Sequence, residues 1–138
     1  MDRAPGPPFA MVGIAALLLV GCVLGPRSPS GLEVSNGTTL AVTIVVNGSA
    51  VAMVEPHGGV TIDPRDLPPL PWVVEARTPS GRLLTSMAVH EGDVQYTANT
   101  SRGDATRVDL SCGRLDIWSG PPLLGPAPGP GVPGDCLP

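Results

Sequence analysis

No lysine occurs in the 138 residues of this chain, and arginine supplies all eight of its basic side chains. That absence excludes Schiff-base chemistry and the lysine of a phosphate-cradling Gly-rich loop. Aromatic residues are nearly as scarce, at 3%. A core must therefore be built from Val, Leu, Ile and Ala, with Trp72, Trp118 and Tyr96 as the few bulky anchors, a palette that favours strands. Charge is sparse and its balance is acidic, a net −4 without any basic cluster. Nucleic-acid binding, which needs a cationic footprint to neutralise phosphates, is not expected. Catalytic signatures are missing as well: no Gly-x-Ser-x-Gly elbow and no His-Glu-x-x-His occurs. The expectation is a non-enzyme that needs no cofactor. Proline and glycine, at 18 each, and the exclusive use of arginine reflect a GC-rich coding genome more than a functional choice.

Long apolar runs are missing too. The uncharged run from Phe9 to Val20 spans about a dozen residues, enough for a signal-peptide core and short of the ~20 that cross a bilayer as a helix. It ends in Leu19-Val20-Gly21-Cys22. This pattern resembles the lipobox of bacterial lipoproteins, which implies that residues 1–21 form a signal helix that is cleaved and that Cys22 becomes a diacylated N-terminus. An ordinary cleaved secretory signal and an uncleaved anchor are the alternatives, and the n-region is weak because Asp2 offsets Arg3. Gly21-Cys22 favours the lipoprotein reading, since ordinary signals more often end Ala-x-Ala. Residues 22–31 then read as a short tether, Pro for reach and Gly/Ser for swivel. The implied address is the extracytoplasmic side of a cell membrane, and the implied partner is that membrane, because two acyl chains hold stably where one is marginal.

Cys112 and Cys136 remain as an even pair in a compartment where disulfides persist. A bridge between them closes about two dozen residues and contributes roughly 3 kcal/mol by restricting the unfolded chain. It would pin a Pro/Gly-rich tail, residues 119–138. Thiols for metal or redox work are the competing reading, but CxxC spacing is absent.

Between the proline-rich ends the sequence alternates as strands do. The surest strand is 39–46, followed by Asn47-Gly48 and a return over 49–54, the strongest short-range hairpin signal. Further strands are read at 31–34, 60–62, 72–77, 82–89, 94–98, 106–110 and 114–118. Thr78-Pro79-Ser80-Gly81 is the turn of a second hairpin, and Ser101-Arg102-Gly103-Asp104 is also read as a turn. Turn signals every eight to twelve residues predict a small all-β sandwich of seven to nine strands over residues 32–118, immunoglobulin-like or transthyretin-like in architecture. The stretch from Leu32 to Trp118, with Val-Val-Asn-Gly, Leu-Pro-Pro-Leu-Pro-Trp and Pro-Ser-Gly-Arg, is similar to uncharacterised exported proteins of GC-rich bacteria. That similarity carries no assigned activity.

Several residues invite sharper readings. All three asparagines, Asn36, Asn47 and Asn99, begin Asn-x-Ser/Thr sequons, although Asn-Gly turns already account for two of them. Arg102-Gly103-Asp104 spells an integrin-binding tripeptide in a sequence that also makes a good turn. His90-Glu91-Gly92-Asp93 lacks the spacing of a calcium loop. Asp63 and Asp66 form a possible carboxylate pair without catalytic context. Met53 with His57 and Met87 with His90 each stand at a strand end, and thioether plus imidazole suits Cu(I). An exported copper or small-solute carrier is thus the alternative to a binding or structural envelope module, which would engage an envelope protein or a glycan. Trp72 is read as a core plug opening a strand.

Overall fold

The computed structural model describes residues 31–91, 95–97, 100–120 and 123–138, with backbone alone at 95–97 and 100–102. The chain folds into two four-stranded antiparallel sheets facing each other, as the alternation predicts. One sheet has the order β4-β1-β10-β9, built from β1 (Leu32–Asn36), β4 (Gly59–Ile62), β9 (Ala105–Leu110) and β10 (Gly113–Ser119). The other has the order β3-β2-β5-β6, built from β2 (Val42–Val46), β3 (Ser49–Val54), β5 (Trp72–Arg77) and β6 (Leu83–Val89). A separate hairpin pairs β7 (Gln95–Thr97) with β8 (Thr100–Arg102). Hence Ser101-Arg102, read as part of a turn, belongs to a strand. The connectivity is not that of an immunoglobulin domain, whose second and third strands lie in opposite sheets; here β2 and β3 form a hairpin within one sheet.

Inward positions recur every second residue, as the pleat requires. Leu32 and Val34, Val42, Ile44 and Val46, Trp72, Val74 and Ala76, and Leu115 and Ile117 make one buried cluster with Val54, Ile62 and Val89. Trp72 is 1% exposed, the core plug its position suggested, and its indole Nε1 donates to the Pro68 carbonyl at 2.6 Å. Leu70–Pro71 is a cis peptide.

The β2–β3 hairpin is the one the sequence announces: Asn47 and Gly48 both adopt positive φ, at 49° and 82°, as a type I′ turn demands. At the second hairpin the Thr78 N–H donates to the Arg82 carbonyl and Gly81 takes φ 91°. At one side of the sandwich β3 runs into β4 through residues 55–58. At the other, β6 and β9 meet. Thr85 lies opposite Ala76 and Thr106 opposite Ile117, so both threonines point inward, and their hydroxyls bond across the gap at 2.6 Å.

Two boundaries differ from the sequence reading for one reason. β1 runs on to Asn36 and β2 starts only at Val42, because Asn36 and Thr38 are buried rather than turned out to water. The Asn36 amide donates to the carbonyls of Leu40, Val54 and Glu55, at 2.7, 3.3 and 3.1 Å, and its oxygen accepts from the Thr38 N–H and hydroxyl. Thr38 Oγ1 in turn accepts from the Leu40 N–H at 3.1 Å. This polar plug diverts residues 37–41 from the sheet and satisfies the backbone groups that leave it.

Candidate functional site

The two sheets present different outer faces. On the β3-β2-β5-β6 sheet the residues in outward register are Ala50 and Met53, Thr43 and Val45, Val73, Glu75 and Arg77, then Ser86 and Ala88. Charge there is confined to the Glu75–Arg77 pair at 2.8 Å, and Met53 and Val73 are openly exposed.

The opposite sheet carries an ion-pair ladder on β9 and β10. Register sets Arg107 against Asp116 and Asp109 against Arg114, so charges two residues apart on each strand meet opposite charges across the hairpin. Arg107 Nε reaches Asp116 at 2.5 Å, and Arg114 Nε reaches Asp109 at 2.6 Å. The bonded Arg114 guanidinium holds the Asp109 carboxyl below the usual range, and the Gly129 N–H, donating to the same carboxylate, adds to it.

Over this ladder lies the C-terminal strap, residues 123–138, without helix or strand. Arg114 donates from Nη1 to the Pro126 carbonyl and from Nη2 to the Ala127 carbonyl, the latter at 2.8 Å. Gly125 rests on the Arg107 guanidinium, where an added Cβ would come within 2.1 Å of Nη1. Gly131, at φ 67°, passes the β9–β10 turn so closely that a Cβ would fall 2.1 Å from the Ser111 nitrogen. Asp135 accepts from the Ser111 hydroxyl and N–H at 2.6 and 2.9 Å and from the Val132 N–H at 2.7 Å, which holds its carboxyl below the ordinary value, the hydroxyl bond contributing most. Arg82, from the β5–β6 turn, donates to the carbonyls of Asp135 and Leu137 at 2.6 and 2.5 Å. The expected disulfide is present: Cys112, in that turn, joins Cys136 with Cα atoms 6.0 Å apart.

The sulfur and imidazole candidates do not converge. Met53 lies opposite outward Thr43 on one edge strand and is 66% exposed, whereas Met87 lies opposite buried Val74 on the other edge strand and packs against the core. Two central strands and the thickness of the sheet separate them, so the two pairs make no shared copper site. His57 is exposed in the turn after β3, at φ 55°, and His90 is exposed just after β6. No cluster of three or more His, Cys, Asp or Glu suited to a metal occurs among the described residues.

Other candidates resolve into structural roles. Asp63 caps the 3-10 turn Pro64–Asp66 and is held to a pKa of about 2 by its side-chain bonds to Arg65, on which Asp66 acts only through its charge. Asn36 is buried, so its sequon is closed in the folded chain. Asn47 is exposed, but its oxygen accepts from the Val73 N–H at 2.8 Å and its amide donates to the Pro71 carbonyl at 3.2 Å, extending the ladder between β2 and β5. In Arg-Gly-Asp, Gly103 lies against the Ser119 carbonyl, where a Cβ would come within 1.9 Å, and the Ser119 N–H donates to the Asp104 carbonyl at 2.8 Å, so the backbone here runs beside the end of β10. Trp118 faces outward beside Glu33 and Ala105, half-buried, its Nε1 buried without a partner. Cys22, the signal, most of the tether, Asn99, Gly92 and Asp93 lie outside the described residues. Among the described residues no helix is long and apolar enough to cross a membrane.

Sequence reasoning missed the ladder and the strap's seat. The signal was present in Arg107-x-Asp109 and Arg114-x-Asp116, alternating charges on two strands joined by a two-residue turn. Comparison with protein-family models, curated proteins and solved structures finds no match to this chain.

Proposed function

We propose that this chain is a non-enzymatic binding or structural module, held on the extracytoplasmic side of a membrane by a diacylated Cys22. The observation that carries the reading is Leu19-Val20-Gly21-Cys22 closing a short apolar run, ten residues ahead of the first strand at Leu32. Ten residues of tether reach at most about 35 Å, so the sandwich stands close to the lipid surface. Just before that strand Gly31 passes the Ile62 carbonyl at a distance where a Cβ would sit 2.1 Å from the oxygen, so the backbone there leaves no room for a side chain. The Cys112–Cys136 bridge suits an oxidising compartment. The outer face of the β3-β2-β5-β6 sheet, whose charge is confined to the Glu75–Arg77 pair, is the surface offered to an envelope protein or a glycan.

Expression of the full chain and of Cys22→Ser in a bacterium fed labelled palmitate tests this. Wild type is expected to incorporate label, lose its leader and sediment with membranes. The variant is expected to remain unlabelled and unprocessed at this site. A Cys22→Ser protein that is still cleaved and still membrane-bound would overturn the reading.

A further inference from the structure

We infer that the outer face of the β9–β10 hairpin is a binding site for extended Gly/Pro-rich peptide, occupied in cis by the chain's own strap. The inference uses only the folded domain and does not depend on the lipid anchor. A passive tail held by one disulfide needs no further contacts upstream of its cysteine. Here the contacts extend eleven residues upstream, from Cys136 back to Gly125.

Two features make the face selective. Arg114 is fixed from below by the Asp109 carboxylate and points its remaining N–H groups at two successive carbonyls, Pro126 and Ala127. Main-chain carbonyls that no strand or helix consumes are what a Pro/Gly-rich peptide offers, because proline breaks the ladder that would otherwise occupy them. An arginine whose geometry is already set by a carboxylate loses little freedom in binding them. The second feature is the demand for glycine. Gly125 sits on the Arg107 guanidinium, itself held by Asp116, and Gly129 donates its N–H to Asp109. Gly131 meets main chain of the turn, which has no side chain to swing aside. The site therefore accepts a peptide of the form Gly-Pro-Ala-Pro-Gly-Pro-Gly, with carbonyls read by Arg114 and glycines read by steric exclusion. The Cys112–Cys136 bridge and the Arg82 contacts keep the cis copy in place at high local concentration.

The probe is a fluorescein-labelled peptide of residues 123–135. The target is the full chain carrying Cys112→Ser, Cys136→Ser, Gly125→Val and Gly131→Val, in which its own strap no longer fits. Fluorescence anisotropy is expected to show binding to this opened chain and at least about tenfold weaker binding to oxidised wild type. Adding Arg114→Ala to the opened chain should weaken binding about tenfold, the scale of losing charge-assisted bonds. A peptide with its own Gly131→Val should bind no better than the Arg114→Ala case. No binding to an opened chain that keeps its β-sheet circular dichroism, or binding indifferent to Arg114, would overturn the inference.

If the opened chain does not fold, hydrogen exchange at Gly129 in reduced wild type decides the question. Protection that survives reduction and disappears in Arg114→Ala supports the site; protection lost on reduction alone refutes it.

Discussion

Asn36 shows how one polar residue sets the geometry of a small sandwich. Its amide and carboxamide oxygen together serve three main-chain carbonyls and Thr38, all at the crossing from one sheet to the other. Replacing it with Ala leaves several buried acceptors unpaired, and each such group costs on the order of 1–3 kcal/mol. Asn36→Ala should therefore lower the urea midpoint by an amount equivalent to about 2–3 kcal/mol, with an unchanged m-value. A loss no larger than about 0.5 kcal/mol, typical of surface substitutions, would show that the plug does not organise the crossing. Nothing in the pattern Ser35-Asn36-Gly37-Thr38 distinguishes this role from a turn, because Asn-Gly satisfies local turn chemistry equally well. Burial decided it, and burial is a property of where β1 lands. Asn47-Gly48, by contrast, was legible because its demand for two positive φ angles is local.

At the scale of the element, the strap is the part the sequence concealed. Its prolines and glycines rule out helix and sheet, which made it look like a linker, yet the same residues let carbonyls face Arg114 and let the backbone approach Ser111. Every described strand except β8, which reads as part of a turn, and the β2–β3 and β5–β6 hairpins could be read from a period of two and from turn residues. The partners of a strap without any period could not be. Its attachments also carry a sign with pH. Asp109 and Asp135 have folded-state pKa values below the ordinary carboxylate value, Asp109 chiefly through Arg114 and Asp135 chiefly through the Ser111 hydroxyl. A depressed carboxylate contributes stability that is present above its unfolded pKa, about 3.9, and lost as pH falls through the folded value. The strap is thus expected to stay seated down to about pH 4 and to loosen only below it. The Gly129 amide resonance, followed by NMR from pH 7 downward, should shift with a midpoint under 3.9. It should lose that titration in Asp109→Asn, and a midpoint at or above the ordinary value would show that Asp109 is not engaged.

For the whole molecule the question is which layer holds the other. Every residue of the buried cluster lies between Leu32 and Ile117, and the strap contributes none of them. The two sheets are joined by that cluster and by the Thr85–Thr106 contact where β6 meets β9. The strap is therefore an outer tie on a sandwich that is already complete, linking β9–β10 to the β5–β6 turn through Cys112–Cys136 and Arg82. Removing the bridge should lower stability without abolishing the fold. The chain-entropy model gives the bridge roughly 3 kcal/mol for a loop of this length. At 4–8 °C per kcal/mol for a domain of this size, Cys112→Ser/Cys136→Ser should melt roughly 12–24 °C below wild type. The transition should remain single and cooperative, because one core carries both sheets. Trp72, buried in that core, reports it by fluorescence, and far-ultraviolet circular dichroism should trace the same curve. Two separated transitions, or a variant with no transition at all, would mean that the strap is part of the folding unit. In that case the outer face of β9–β10 could not be emptied without losing the sheet beneath it.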